Sequence, residues 1–375
     1  MPPLSLLIKP ASSLCNLRCK YCFYHSVAAN REIEFYGIMS SETLEIIVKK
    51  TLEFSDDFCT IAFQGGEPTL AGLDFFRKFT ELQMKYNIKN VKINNTIQTN
   101  GIVIDDEWAK FLAENKFLVG ISLDGPKEIH DANRCDAFSK GSFGKVMKTI
   151  ALFEKYKVDY NILCVVNSYT ARYINKVYNF YKKENFRFLQ FIPCLDPLHE
   201  KPGDNEYSLS VERFTYFLKT LFDLWYEDAI RGNRISIRYF DNLVRMIMGY
   251  SPEVCGMSGF CSCQFVMEAD GGVYPCDFYV VDEWRLGNIK EMGFRELKRS
   301  ERTILFEEGS RHIDPGCHGC DWLQICRGGC RRLRESINGN KLVQSYFCKS
   351  YKEFYGSSFK RLQQISSMVR TGLNF

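Results

Sequence analysis

Residues 12–24 read SSLCNLRCKYCFY and set three cysteines, Cys15, Cys19 and Cys22, directly after the apolar run 4–8. Structural zinc sites and most iron–sulfur sites take four protein ligands. A compact triad therefore borrows a distant fourth ligand or leaves one coordination position open. Read from the residues alone, a zinc site completed by His25 is one way to close it. Its place matters too: a barrel of parallel strands keeps its chemistry in the loops at the strands' carboxyl ends, and this triad follows the first candidate strand.

Further along, runs rich in β-branched and aromatic residues at 4–8, 60–63, 91–97, 118–122, 161–166 and 188–192 read as buried parallel strands. Between them lie helical stretches at 42–54, 74–86, 107–115, 143–156 and 172–184. Six β-then-α units in succession predict an α/β fold, a partial (β/α)6 barrel of TIM type. Polar and glycine-bearing segments follow each strand: the triad, then Gln64-Gly65-Gly66-Glu67-Pro68, Gln98-Thr99-Asn100, Ser122-Leu123-Asp124-Gly125, Asn167-Ser168 and 193–196. All six are expected at one mouth. An amphipathic stretch at 211–230 runs into Gly232, a helix-stop signal, after which the βα rhythm is expected to end. This places a barrel domain over 1–234 and a second domain over 235–375. The second is cysteine-rich and loop-rich, with pairs at Gly271-Gly272 and Gly328-Gly329, and is expected to be held by metal more than by a large core, with a helix at its carboxyl end.

The chain has 375 residues, enough for two domains, and its 49 basic against 45 acidic residues give only +4. That balance is too mild for nucleic acid as an obligatory partner. No apolar run approaches membrane-spanning length, and the first ten residues are too short and proline-bounded for a signal peptide, so a cytoplasmic, membrane-free protein is expected. In a reducing compartment sixteen cysteines read as metal ligands or redox centres rather than disulfides.

The triad spacing Cys15-x3-Cys19-x2-Cys22 with aromatics around its last cysteine, the Gly65-Gly66-Glu67-Pro68 loop and the barrel order together resemble the radical S-adenosylmethionine superfamily. The resemblance implies that three thiolates hold a 4Fe-4S cluster whose fourth iron is chelated by the amino and carboxylate groups of S-adenosylmethionine. Its reductive cleavage yields a 5'-deoxyadenosyl radical. Gly65 and Gly66 would then approach the ligand ammonium with their carbonyls, while Glu67 would add charge or fix the loop. By the same resemblance Arg134 meets the methionine carboxylate, Ser122 a ribose hydroxyl, and Tyr21 and Leu195 border the adenine.

A second cysteine set runs Cys255, Cys261, Cys276, Cys317, Cys320, Cys326, Cys330 and Cys348, with Gly271 between Cys261 and Cys276. This resembles the SPASM extension of radical enzymes that modify peptides. Eight thiolates suffice for two fully ligated auxiliary 4Fe-4S clusters, making three clusters in all. The resemblance pairs Cys255, Cys261, Cys276 and Cys330 on one, and Cys317, Cys320, Cys326 and Cys348 on the other. Spacing leaves Cys263 as a competitor of Cys261. Cys59 and Cys164 fall in strand patterns and read as core thiols, while Cys135, Cys194 and Cys263 carry no assigned role.

Fully ligated clusters suit outer-sphere electron transfer, and a substrate radical oxidised by one also needs a base. Asp277 follows Cys276 in YPCDFY and meets that need. Within the SPASM group the sequence is most similar to anaerobic sulfatase-maturating enzymes, through MPPLSLLIKPAS, CKYCFYHS, AFQGGEPTLAG, SLDGPKEIH, VYPCDFYV and CRGGCRR. That similarity implies oxidation of a Cys or Ser residue to Cα-formylglycine in an unfolded sulfatase with a Cys/Ser-x-Ala/Pro-x-Arg motif. It also implies an electron donor such as flavodoxin or ferredoxin, and a monomer. Many relatives that modify ribosomal peptides carry a recognition domain ahead of the barrel, whereas Cys15 here follows 14 residues, which favours a short motif in an unfolded sulfatase as the expected substrate. Thioether-forming or epimerising radical enzymes, and a non-enzymatic zinc or iron–sulfur scaffold, are the alternatives.

Overall fold

The computed structural model describes residues 4–198, 200–336 and 341–372. Among the described residues there are ten strands: β1 (Leu4–Ile8), β2 (Phe58–Phe63), β3 (Lys92–Thr99), β4 (Leu118–Ser122), β5 (Tyr160–Val166), β6 (Phe188–Pro193), β7 (Ser236–Ile237), β8 (Val266–Met267), β9 (Gly272–Tyr274) and β10 (Gly287–Asn288). The first six coincide with the six apolar runs to within two residues at either end, each followed by at least one helix. Packing divides the chain into two compact units, neither of them continuous in sequence.

The first unit comprises Met1–Ser122, Arg134–Tyr160 and Cys263–Phe306. Its strands β1 to β4 pair in parallel in chain order, with Leu4 opposite Cys59 and Thr99 opposite Ile121. The helices Ser41–Phe54, Leu73–Tyr86, Asp106–Glu114 and Phe143–Tyr156 bury their apolar stripes. Ser40 and Asp105 start two of them by accepting hydrogen bonds from the free amides of Thr43 and Trp108. Phe63 on β2 packs at 4.8 Å between ring centroids against both Phe76 and Phe79, which lie three apart on one helix. Each such ring taken out of water contributes about 1.5–3 kcal/mol.

The second unit comprises Leu123–Asn133, Asn161–Ser262 and Glu307–Phe375. Here β5, β6 and β7 pair in parallel. The helices Val211–Ile230, Arg238–Ile247 and Cys348–Arg370 meet around Phe222, Trp225, Phe240 and Phe354. Trp225 satisfies its buried indole by donating to the Ile235 carbonyl at 2.9 Å. Gly232 stands at φ +82° just past the helix end, where a Cβ would be strained, and its amide returns to the Ala229 carbonyl.

Two expectations are corrected. The βα rhythm does not stop at Gly232, because β7 and the helix Arg238–Ile247 add a further unit beside β6. Nor is the later chain purely loops tied by metal: β8 pairs in parallel with β1, β9 and β10 follow in antiparallel fashion, and Phe265, Val273, Ile289, Phe294 and Leu297 are buried behind them. Strands of two or three residues carry no periodicity, and only the Asp270-Gly271 turn between β8 and β9 marks them locally. Cys59 and Cys164 are core thiols as expected, and Cys194 joins them. Among the described residues no helix is long and apolar enough to cross a membrane.

Candidate active site

Cys15, Cys19 and Cys22 lie on one loop between β1 and the helix Phe23–Ala29, and the Cys22 amide turns back to the Cys19 carbonyl at 3.1 Å. The second motif loop is stitched to it. The Gly66 amide donates to Ser12 O at 3.0 Å and the Glu67 amide to Leu14 O at 2.7 Å. A Cβ on Gly66 would stand 2.1 Å from the Leu14 carbonyl oxygen, so the chain's own backbone uses the space that glycine provides. Glu67 fixes the loop, the second of its two expected roles. Its carboxylate is buried and accepts from the Thr69 amide and hydroxyl, the Thr99 hydroxyl and the Asn100 amide at 2.6–3.1 Å. Burial still raises its pKa, the four donors working in the opposite direction. Asn100, tied to Glu67 in this way, presents its side-chain amide to Asn16 at 2.7 Å and to the Cys15 sulfur at 3.7 Å.

Of the other residues expected at the cofactor, Ser122 is buried at the carboxyl end of β4. Arg134 is buried with its guanidinium 5.4 Å from the Tyr21 ring centroid, so these two lie together. Leu195 belongs to the second unit, after β6, where it lines a cavity of about 370 Å³ with Cys194, Asp196, Arg332 and Tyr346. His25 is exposed on its helix.

The auxiliary cysteines fall into groups. Cys317, Cys320, Cys326 and Cys348 line one pocket in the second unit, together with Trp322, Tyr351 and Tyr355. Burial and neighbouring thiolates push the Cys326 thiol up to about 11. Cys330 is pushed to about 12 by burial and by the charges of Cys255 and Cys261, which places those three together. Cys276 lies in the first unit just after β9, and Cys263 is in that unit also. Thiols held this high in pKa would stay protonated without a cation to compensate them, and iron supplies one. Among the described residues no three Cys, His, Asp or Glu side chains converge on a single point. The four sulfurs lining one pocket match the number of thiolates that a fully ligated 4Fe-4S cluster takes.

Asp277 lies in the first unit, one residue beyond Cys276, and is 7% exposed. Its Oδ2 accepts hydrogen bonds from the Tyr24 hydroxyl and from Gln64 Nε2, the latter at 3.1 Å. Its Oδ1 is buried with no hydrogen-bond partner among the described residues and faces Lys9 Nζ at 3.8 Å. Lys9 is 3% exposed, sits 4.3 Å above the Tyr24 ring and is 3.7 Å from Glu268, which Arg31 engages at 2.7 Å. Burial pushes the Asp277 carboxyl above its usual range, while the Lys9 charge and the Tyr24 hydroxyl pull it back. Sequence reading singled out Asp277 but not Lys9, Tyr24, Gln64 or Glu268. Tyr24, Gln64 and Lys9 all lie inside quoted stretches without a role there, and Glu268 alone carries no local signal.

Two family models match the chain: the radical SAM superfamily over residues 10–181, and an iron-sulfur cluster-binding domain, SPASM, over residues 259–321. A cysteine-type anaerobic sulfatase-maturating enzyme from Clostridium perfringens is 56% identical over 99% of this chain and 100% of its own length. A serine-type anaerobic sulfatase-maturating enzyme from Bacteroides thetaiotaomicron is 35% identical over 94% and 89%. The solved structure of native anSMEcpe with bound AdoMet and Cp18Cys peptide superposes with a TM-score of 0.95 at 55% identity, covering 98% of this chain and 100% of that one.

Proposed function

The chain belongs to the anaerobic sulfatase-maturating enzymes of the radical S-adenosylmethionine superfamily, which oxidise a cysteine residue to formylglycine, and we propose that Asp277 is the base in that reaction. The observation that carries the proposal is the asymmetry of its carboxylate: Oδ2 is fixed by Tyr24 and Gln64, while Oδ1 is buried and open. When bound, the cofactors supply a 5'-deoxyadenosyl radical for the Cβ hydrogen and an auxiliary cluster as one-electron acceptor. Asp277 Oδ1 then takes the proton of the target side chain.

The remaining roles are those the family resemblance implies, supported by the Arg134–Tyr21 contact and by the pocket of Cys317, Cys320, Cys326 and Cys348. Cys15, Cys19 and Cys22 hold the radical-generating cluster. Gly65 and Gly66 offer carbonyls to S-adenosylmethionine, Arg134 its carboxylate partner, Ser122 a ribose contact, and Tyr21 and Leu195 the adenine borders, with Glu67 bracing the loop. Cys255, Cys261, Cys276 and Cys330 ligate one auxiliary cluster, and Cys317, Cys320, Cys326 and Cys348 the other. The mutual influence of Cys255, Cys261 and Cys330 supports Cys261 as a ligand beside the other two. For function we retain a catalytic part over 1–234 and a cluster-bearing part over 235–375, in keeping with the two family matches.

The substrate is a sulfatase polypeptide presenting a Cys-x-Ala/Pro-x-Arg segment before it folds. Cysteine is favoured over serine because the cysteine-type relatives are the more similar. A monomer suffices, since one chain carries all eleven ligand cysteines. The reductant is a flavodoxin- or ferredoxin-class protein, and a reducing cytoplasm keeps the sixteen cysteines out of disulfides.

Anaerobic incubation with S-adenosylmethionine, reductant and such a peptide tests the reading. Asp277→Asn should abolish formylglycine while 5'-deoxyadenosine still forms. Unimpaired aldehyde formation by that variant would remove Asp277 from the mechanism, and a product retaining sulfur as a thioether would move the chain to a crosslinking reaction.

A further inference from the structure

We infer that Lys9 is a second catalytic residue, its ammonium donating a hydrogen bond to the target sulfur while Asp277 Oδ1 removes that sulfur's proton. The inference rests on the reading of Asp277 as base. Lys9 closes β1 and is buried, yet its Nζ makes no hydrogen bond among the described residues. Both carboxylates beside it stand beyond hydrogen-bond reach, at 3.7 and 3.8 Å. A buried ammonium left this way lacks its normal complement of acceptors, which costs free energy unless something else fills the place.

Charge balance says what does not fill it. Glu268 is already engaged by Arg31 at 2.7 Å, and the second oxygen of Asp277 is taken by Tyr24 and Gln64. What remains is an open donor, Lys9 Nζ, facing an open acceptor, Asp277 Oδ1, across 3.8 Å. One heavy atom carrying a proton, set to the side of that line, bonds to both. The thiol of the target residue has this character: it donates to the carboxylate and accepts from the ammonium.

The chain maintains this position at a cost. Gly65 has φ +115°, and a Cβ there would come within 3.0 Å of both the γ and ε carbons of Lys9. One face of the lysine stem therefore lies on a glycine and its head on the Tyr24 ring at 4.3 Å. The glycine pair of the second motif thus has divided uses, Gly66 for the triad loop and Gly65 for Lys9.

In the step itself the S–H bond breaks, its proton goes to Oδ1, the Cβ-centred radical loses one electron, for which a bound auxiliary 4Fe-4S cluster would be the acceptor, and a C=S bond forms. Water then adds to that thioaldehyde and hydrogen sulfide leaves, giving the aldehyde. Negative charge grows on sulfur before the electron departs. A fixed ammonium stabilises that charge, the function an oxyanion-hole donor performs in acyl transfer.

The test compares wild type, Lys9→Met, Lys9→Arg and Asp277→Asn, reconstituted anaerobically with a cysteine peptide. Formylglycine and 5'-deoxyadenosine are counted together, and peptide Kd and iron and sulfide content are measured in parallel. Lys9→Met is expected to lose about 100-fold in formylglycine rate. Its iron, peptide Kd and 5'-deoxyadenosine formation should stay near wild type, so that the ratio of aldehyde to deoxyadenosine collapses. Lys9→Arg, which keeps the charge, should recover at least about tenfold of the loss. A wild-type ratio in Lys9→Met overturns the inference while leaving Asp277 untouched. Loss of iron or deoxyadenosine formation in both Lys9 variants, or of peptide affinity with an unchanged ratio, also overturns it and makes Lys9 a structural or binding residue. An active Asp277→Asn beside a failing Lys9→Met would instead sink the base assignment.

Discussion

The glycines of the second motif loop show how tightly single atoms are constrained near the triad. Gly66→Ala would drive a methyl into the Leu14 carbonyl at 2.1 Å, and neither partner is a flexible side chain. The backbone of 13–14 must retreat, at a cost of about 1–3 kcal/mol, and with it the loop bearing Cys15. We expect Gly66→Ala to lose most S-adenosylmethionine cleavage while the auxiliary clusters remain, as read by 5'-deoxyadenosine yield and by electron paramagnetic resonance of the reduced protein. Gly144→Ala is the matched control. It sits in the helix Phe143–Tyr156 with no atom within 4 Å of the added methyl, so it should raise stability by about 0.5–1 kcal/mol and leave the chemistry alone.

At the scale of elements, the unit formed by β7 and the helix Arg238–Ile247 carries a testable electrostatic burden. Asp241 lies in the first turn of that helix, accepts from the Ser236 hydroxyl at 2.5 Å through Oδ2, and leaves Oδ1 buried without a partner. Burial pushes its carboxyl up to about 6, against 3.8 unperturbed. A carboxyl whose folded pKa is raised favours the fold in its protonated form. Its contribution is therefore complete below about pH 4 and is lost as pH rises through 6, by at most about 3 kcal/mol. Asp241→Asn, which cannot ionise, should melt about 5 °C above wild type at pH 7.5, and the gap should narrow by pH 5. Thermal unfolding at the two pH values checks it, and a gap that is constant or reversed would refute the burden.

The same element marks where sequence reading fails. β1 to β6 were legible because five to eight residues of β-branched and aromatic character leave a pattern, and their helices carry an apolar stripe of matching period. β7 to β10 span two or three residues each; β8 and β9 pair locally as a hairpin, and β7, β8 and β10 are placed by partners farther along the chain. The active-site constellation divides the same way. Asp277 was found beside a ligand cysteine, whereas its bond to Tyr24 closes 253 residues of chain and its facing ammonium comes from β1. No window of sequence contains such a pair.

For the molecule as a whole, the cysteine-rich part of the second unit raises the question of what holds it. Between Ser310 and the helix Cys348–Arg370 the described chain offers the short turns Pro315–Cys317, Leu323–Cys326 and Arg331–Leu333 and one bridge, Glu335 to Leu342, with few buried apolar side chains. Thiols pushed up to about 11 and 12 at Cys326 and Cys330 disfavour thiolate until iron arrives, so metal binding there is folding free energy. On the proposed pairing those two cysteines hold different clusters, yet they are joined by Arg327, Gly328 and Gly329, all at positive φ between +54° and +84°. A turn so constrained couples the two sites. Cys326→Ala should therefore remove one auxiliary cluster and shift the spectrum of the other, while amides in 307–336 exchange faster and those in β1 to β4 do not. The radical cluster on Cys15, Cys19 and Cys22 should persist, so 5'-deoxyadenosine would still form and formylglycine would not. Unaltered exchange in 307–336 would mean that packing, not iron, orders the segment. Retained formylglycine would mean that this cluster lies outside the electron's route.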